Sequence, residues 1–172
     1  MNFLVFIAPN NFRDETVSML RLFFDRWGIQ YTITSYANKD CTGAHGAVYK
    51  PGINTAKVIP SDYNGIIIVD GDGIDDYKLT EYRPLLDLLL HYNNSGKFIG
   101  AFNNAIKVVA RANIIKDKKI ATPRDPEARR MVALFKGVPS EKPIEVSGNI
   151  ITMVGASLEG PLQDMLAQLG AI

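Results

Sequence analysis

Lys97-Phe98-Ile99-Gly100-Ala101-Phe102 runs without a break into Asn103-Asn104-Ala105-Ile106, and this junction decides the fold. The first six residues read as a buried strand, continuous and apolar as in a parallel sheet covered on both faces. Residues 103–112 read as a helix entered with almost no loop. A strand that turns at once into a helix forces its junction residue into a strained backbone conformation. Asn tolerates left-handed geometry better than most side chains, so Asn103 suits that corner.

The same alternation extends in both directions. Upstream, Gly65-Ile66-Ile67-Ile68-Val69 is the strongest strand signal and runs into the turn Asp70-Gly71-Asp72-Gly73. Leu79 to His91 is apolar-rich and helical. At the start, Phe3-Leu4-Val5-Phe6-Ile7 is a first strand. Val17, Leu20, Phe23, Phe24 and Trp27 then fall at helical spacing, with Asn11 as a candidate N-cap and Gly28 at C′. Tyr31 to Thr34 reads as a second strand, followed by a polar, Gly-containing stretch from Asn38 to Gly52. Downstream, Lys119 to Thr122 is a short strand and Asp125 to Phe135 a helix. Ile144-Glu145-Val146 and Asn149 to Met153 flank Ser147-Gly148 as a hairpin. Ser157 is placed to cap a last helix carrying Leu158, Leu162, Met165, Leu166 and Leu169, with Gly170 ending it. The pattern predicts an α/β class fold: one domain over residues 1–172, a three-layer α/β/α sandwich, flavodoxin-like, around a mostly parallel central sheet. Ligands in such sheets bind beyond the carboxyl ends of the strands.

Composition narrows the function classes. The 172 residues are 47% hydrophobic and 22% charged, ordinary for a globular chain. The net charge of +1 offers no electrostatic reason to expect nucleic acid or an anionic membrane as partner. No stretch approaches the roughly 18 apolar residues of a membrane span. Residues 3–8 are too short for a signal-peptide core and follow no basic residue. Cys41, the single cysteine, excludes an intramolecular disulfide or a multi-Cys zinc site, and a lone thiol suits a reducing cytoplasm.

From Gly96 to Thr122 the chain reads Gly-Lys-Phe-Ile-Gly-Ala-Phe-Asn-Asn-Ala-Ile, then Ala-Arg-Ala-Asn-Ile-Ile-Lys-Asp-Lys-Lys-Ile-Ala-Thr. This resembles the PfpI (DJ-one) superfamily, class I glutamine-amidotransferase-like α/β proteins, where the segment reads G-K-x-I-A-A-I-C-H-G-P, then A-x-A-G-L-L-x-G-K-x-x-T. Thr42-Gly43-Ala44-His45-Gly46 is similar to a T-G-x-H-G run of the family proteases. Ser61-Asp62-Tyr63-Asn64 and Gly148-Asn149-Ile150-Ile151-Thr152 extend the likeness over nearly the whole chain. The resemblance implies that Asn103 and Asn104 stand where the family has its nucleophilic Cys and adjacent His. Ile106 stands for a Pro after the elbow, and Val69-Asp70-Gly71 for a P-G-G turn. Glu15 falls on the family's buried acid beside the nucleophile. Asp75 falls on an acid that some members lend across a subunit interface. A homodimer or larger homo-oligomer is implied with it.

An amide is no nucleophile and exchanges no proton near neutral pH, so these asparagines exclude the family's cysteine chemistry. The free N–H groups of the helix beginning near Asn104, together with the Gly71 amide, remain able to hold an oxyanion or carboxylate. The expectation is a member without the dyad that binds a small polar or anionic ligand through Glu15, Gly71, Asn103 and Asn104, or serves as an oligomeric scaffold. The alternative is a hydrolase, deglycase or glyoxalase using Glu15 with a water, or recruiting Cys41. Helix capping at a functionless elbow accounts for the same two asparagines. No cofactor and no metal is expected.

Other residues read as structural. Cys41 and His45 are four apart in a loop without an orienting third residue. His91 suits a helix C-terminus. Asp70, Asp72 and Glu81 fit positions 1, 3 and 12 of a calcium loop, but Ile74 and Asp75 break it at positions 5 and 6. Arg124, Arg129 and Arg130 read as a solvated helix face, with a route to an anionic ligand if one of them reaches the pocket.

Overall fold

Six parallel strands and one antiparallel edge strand form the central sheet of the computed structural model, which describes residues 1–155 and 157–170. Its strands are β1 (Asn2–Phe6), β3 (Gln30–Ser35), β6 (Ile53–Asn54), β7 (Gly65–Ile68), β8 (Phe98–Phe102), β11 (Ile144–Ser147) and β12 (Ile150–Met153). They lie in the order β11-β12-β8-β7-β1-β3-β6, and only β11 runs against its neighbour. The helices are α1 (Asp14–Arg26), α2 (Gly73–Asp76), α3 (Arg83–Asn94), α4 (Ile106–Arg111), α5 (Pro126–Leu134) and α6 (Glu159–Gln168).

The apolar runs are continuous because alternate side chains feed two separate cores. Leu4, Phe6, Ile66, Ile68 and Ile99 pack with Leu85, Leu89 and Val108 of α3 and α4. Phe3, Val5, Ile67, Phe98 and Ile151 pack on the opposite face with Leu20 and Phe24 of α1 and Leu162 and Leu166 of α6. The result is the expected α/β/α sandwich. Among the described residues no helix is long and apolar enough to cross a membrane.

Several local expectations change. Asn11 is not an N-cap. It sits at φ 60 in a short strand β2 (Asn10–Phe12), and α1 starts after Arg13 without a side-chain cap. The polar stretch after β3 supplies β4 (Cys41–Gly43) and β5 (Val48–Tyr49), which join β2 in a small sheet anchored by buried Phe12 and Cys41. Leu79–Glu81 is a 3₁₀ turn, and α3 begins only at Arg83-Pro84, as Pro in a first turn favours. A further pair of parallel strands, β9 (Lys119–Ala121) and β10 (Val138–Ser140), flanks α5. Ser157 does not cap α6, whose N-cap is Leu158 with no side-chain bond. Gly28, at φ 64 directly after Trp27, does end α1 as a C′ glycine.

Candidate functional site

The carboxyl ends of β7 and β8 lie side by side, with Ile68 opposite Ala101, so Asp70-Gly71 and Asn103-Asn104 emerge next to each other. Asn103 has φ 47, the left-handed conformation at the corner between β8 and a 3₁₀ turn over Asn103–Ala105 that leads into α4. Its side chain is committed at both ends. Nδ2 donates to Asp70 Oδ2 at 2.7 Å, and Oδ1 accepts from the Gly155 N–H at 3.0 Å.

Asp70 is the buried acid of this corner. It is 4% exposed, and its second oxygen accepts from Thr16 Oγ1 at 2.6 Å. The Arg13 guanidinium approaches Oδ2 to 3.9 Å, and the Arg13 N–H donates to the Asp70 carbonyl at 2.9 Å. Burial pushes the Asp70 carboxyl up, against the opposing pull of Thr16, Asn103 and Arg13. From the sequence Asp70 reads as part of a turn and of a broken calcium loop. The available signal was a carboxylate standing between a buried strand and Gly71, where the resembled family has glycine.

Asn104 pairs with a peptide group rather than a side chain. Its Nδ2 donates to the Gly71 carbonyl at 2.7 Å and its Oδ1 accepts from the Gly71 N–H at 3.0 Å. Gly71 has φ 132, and a Cβ there would meet Asn11 O and the backbone of Phe12 and Arg13. The turn is thus pressed onto the start of α1, and its N–H, expected to be available to an anion, already has an acceptor.

The remaining candidates make other contacts. Glu15 is not buried beside Asn103. Its side chain is 53% exposed, with Oε1 2.9 Å from His45 Nδ1 and Oε2 3.8 Å from Arg13 Nε. A bond from its own backbone N–H, and then His45, hold its carboxyl below the usual range. The buried acid of α1's first turn is Asp14, which accepts from the N–H groups of His45 (3.2 Å) and Ala47 (2.9 Å) and clamps that turn to the helix. Asp75 pairs within its own chain, 2.6 Å from Nζ of the buried Lys107, with Glu127 at 3.7 Å and Asp125 at 4.0 Å from the same ammonium. Cys41 is buried, its Sγ directed at the Lys39 carbonyl, and burial pushes its thiol up. Among the described residues no hydrogen bond links it to the elbow. Arg129 turns to Glu141 at 3.3 Å, and Arg124 and Arg130 are exposed. His91 lies edge-on to Tyr92 on α3. Among the described residues no three His, Cys, Asp or Glu side chains are grouped to hold a metal ion.

The sequence model of the DJ-1/PfpI family matches residues 1–159. The chain belongs to the DJ-1/PfpI family. An uncharacterized protein of Methanocaldococcus jannaschii is 31% identical over 149 residues, which are 87% of this chain and 72% of that protein. The fold is shared with a ThiJ/PfpI domain protein of Brachyspira murdochii (TM-score 0.91, 19% identity, 99% of this chain and 97% of that one). It is also shared with a structure described as a putative protease I of Bacteroides thetaiotaomicron (TM-score 0.81, 18% identity, 98% and 96%). DJ-1beta of Drosophila melanogaster superposes with a TM-score of 0.79 at 19% identity, over 98% and 87% of the two chains. This DJ-1/PfpI member carries its corner asparagines where β8 turns into the 3₁₀ segment, with the buried carboxylate of Asp70 beneath.

Proposed function

We propose that this DJ-1/PfpI protein performs no nucleophilic chemistry at the elbow and acts as a homo-oligomeric scaffold. One observation carries the reading: the polar groups that would meet a substrate are already bonded to one another. Asn103 is divided between Asp70 and Gly155, and Asn104 closes on the Gly71 peptide group. An incoming oxyanion would have to displace Asn104 Oδ1 from the Gly71 N–H, leaving that carbonyl oxygen to find another donor. An unpaired polar group costs about 1–3 kcal/mol when fully buried and less at this half-buried pair, a cost that still weighs against the ligand-binding reading of the same four residues.

The test compares the wild type with an Asn103→Cys, Asn104→His double variant on peptide, ester and glyoxal-type substrates, together with the solution mass. The expected result is a multimeric wild type without turnover, and activity only where a thiolate and a base have been supplied. A wild type that turns over any of these substrates as fast as the double variant overturns the reading.

A second reading has one observation in its favour. Glu15 and the exposed His45 form a carboxylate–imidazole pair at 2.9 Å, the arrangement that orients a histidine as a base. Hydrolysis through this pair and a water predicts an activity lost in Glu15→Gln. The thiol version has less support, because Cys41 is buried and its pKa is raised rather than lowered.

A further inference from the structure

Glu15, Met19 and Leu22 stand four and three residues apart and form one stripe along α1. Past its first turn the stripe is apolar, yet Leu22 is 56% exposed, with none of the burial given to Leu20 or Phe23 beside it. The stripe borders a cavity of about 410 Å³ whose lining also includes Asp14, the buried Phe23 and Glu159 from the first turn of α6. Small-molecule sites occupy about 300–1,000 Å³, with mostly apolar walls and a few polar groups that orient the ligand. Neither Gly71 nor the two elbow asparagines contribute to this lining.

The charges of the lining select the occupant. Its ionisable groups are Asp14, Glu15 and Glu159, all acids. Asp14 is committed to the N–H groups of His45 and Ala47. Glu15 is shared with His45 and Arg13 and still half exposed. Glu159 is exposed and forms no ion pair among the described residues. The other cations of α1 are engaged outside the lining. The Arg21 Nε donates to the Tyr31 hydroxyl at 3.1 Å, and the Arg26 guanidinium lies 5.5 Å from the centre of the Phe23 ring. A cationic head therefore finds a carboxylate without a partner, and an apolar tail finds Met19, Leu22 and Phe23. An anionic head would meet the same acids and be repelled.

We infer that this cavity between α1 and the start of α6 binds a small primary amine with an apolar tail, its ammonium on Glu159 and its tail along Met19, Leu22 and Phe23. The three donors of a primary ammonium suit a site whose free polar groups are carboxylate oxygens, which only accept. Covering Leu22 and Met19 removes apolar surface from water and supplies affinity that the exposed ion pair alone does not. The site stands apart from the elbow and needs neither chemistry nor a ligand there.

Trp27 makes the cavity observable. It is the only tryptophan of the chain, and its ring stacks on that of Phe23 at 4.8 Å. The experiment titrates the intact protein with 2-phenylethylamine at neutral pH, following tryptophan emission with calorimetry alongside. 2-Phenylethanol and 3-phenylpropionate serve as the neutral and anionic counterparts. The amine is expected to give a saturable signal, the alcohol to bind about three- to fivefold more weakly, and the carboxylate more weakly still. Glu159→Gln is expected to bring the amine down to the affinity of the alcohol and to leave the alcohol unchanged. Leu22→Ser is expected to weaken both, with circular dichroism confirming that each variant is folded. No saturable signal at millimolar amine overturns the proposal. Equal affinity for the three compounds, or an amine affinity unmoved by Glu159→Gln, overturns it too. Emission that follows protein concentration and not the amine gives the cavity to a second copy of the chain, and equally overturns it.

Discussion

The side-chain amide of Asn103 donates to the buried carboxylate of Asp70 across 2.7 Å, joining the exits of two adjacent strands. The bond explains how a corner built at φ 47 persists. The left-handed conformation is held by what the side chain binds: a carboxylate on one side and the Gly155 N–H, just before α6, on the other. Thr16 completes the carboxylate from α1, so three segments distant in sequence meet at one ionisable group, and Asn103 links it to a fourth at Gly155.

Truncation at this position separates its two components. Asn103→Gly keeps the backbone conformation and loses both hydrogen bonds, one of them to a charged acceptor, at an expected cost of about 2–3 kcal/mol. Asn103→Ala loses the same bonds and adds the left-handed penalty, about 1 kcal/mol more. Urea unfolding of the three proteins reads the difference, and equal stability of the Gly and Ala variants would show that the corner relaxes away from φ 47.

Asp70 gives stability a pH dependence of unusual sign for a carboxylate. Its folded-state pKa is raised by burial, so the folded chain holds the proton over a range in which the unfolded chain has released it. Its contribution is present below the ordinary aspartate value, near pH 4, and is lost as pH rises through the raised value. The stability of the wild type relative to Asp70→Asn should therefore decline with rising pH across that window and become flat above it. Unfolding midpoints measured from mildly acidic to neutral pH check the slope. A difference that grows with pH would mean that Thr16, Asn103 and Arg13 outweigh burial.

The strands, the two-sided core and the corner at Asn103 were legible because each is a local pattern: an apolar run of the right length, or a strand without a loop after it. The small β2-β4-β5 sheet was not. Its strands are two or three residues long and carry no periodicity, and Asp14 holds the neighbouring turn through N–H groups more than 30 positions away. Glu15 illustrates a signal that was present and passed over. Counting back from Val17 and Leu20 by three and four residues puts Asp14 and Thr16 on the buried face of α1 and leaves Glu15 a third of a turn away from Asp14. For Asp70 the sequence shows only a carboxylate between a buried strand and Gly71; the partner that receives it, Thr16, stands 54 residues earlier.

Lys107 offers a test of how a buried cation is tolerated. Its side chain is 1% exposed, whereas Asp75, Asp125 and Glu127 around its ammonium are about half exposed. The stem is therefore packed and the charge faces acids that water can also solvate. Lys107→Met, which preserves the stem, should cost about 1 kcal/mol or less, and Lys107→Ala about 3 kcal/mol through the cavity it leaves. Thermal unfolding at low and high salt distinguishes packing from charge. A methionine variant as unstable as the alanine variant would show that the ion pairs, and not the stem, hold α4 against α2 and α5.

Replacing the amide by a second carboxylate tests the corner most directly. In Asn103→Asp the donor that faces Asp70 becomes an acceptor at the same 2.7 Å separation. Two carboxylates this close share one proton, so the pair titrates with one strongly raised apparent value. A raised folded-state pKa adds stability at low pH and withdraws it as pH rises, because the unfolded chain ionises both acids without penalty. The variant should approach wild-type stability in mild acid and fall well below it at neutral pH, whereas Asn103→Gly, which only removes a donor that favours ionised Asp70, should lose stability at every pH with a smaller increase toward neutral pH. Urea titrations of the three proteins at matched pH values decide the matter. Parallel curves for the Asp and Gly variants would mean that the two carboxylates move apart, and that the bond from Asn103 to Asp70 does not hold the two strand exits together.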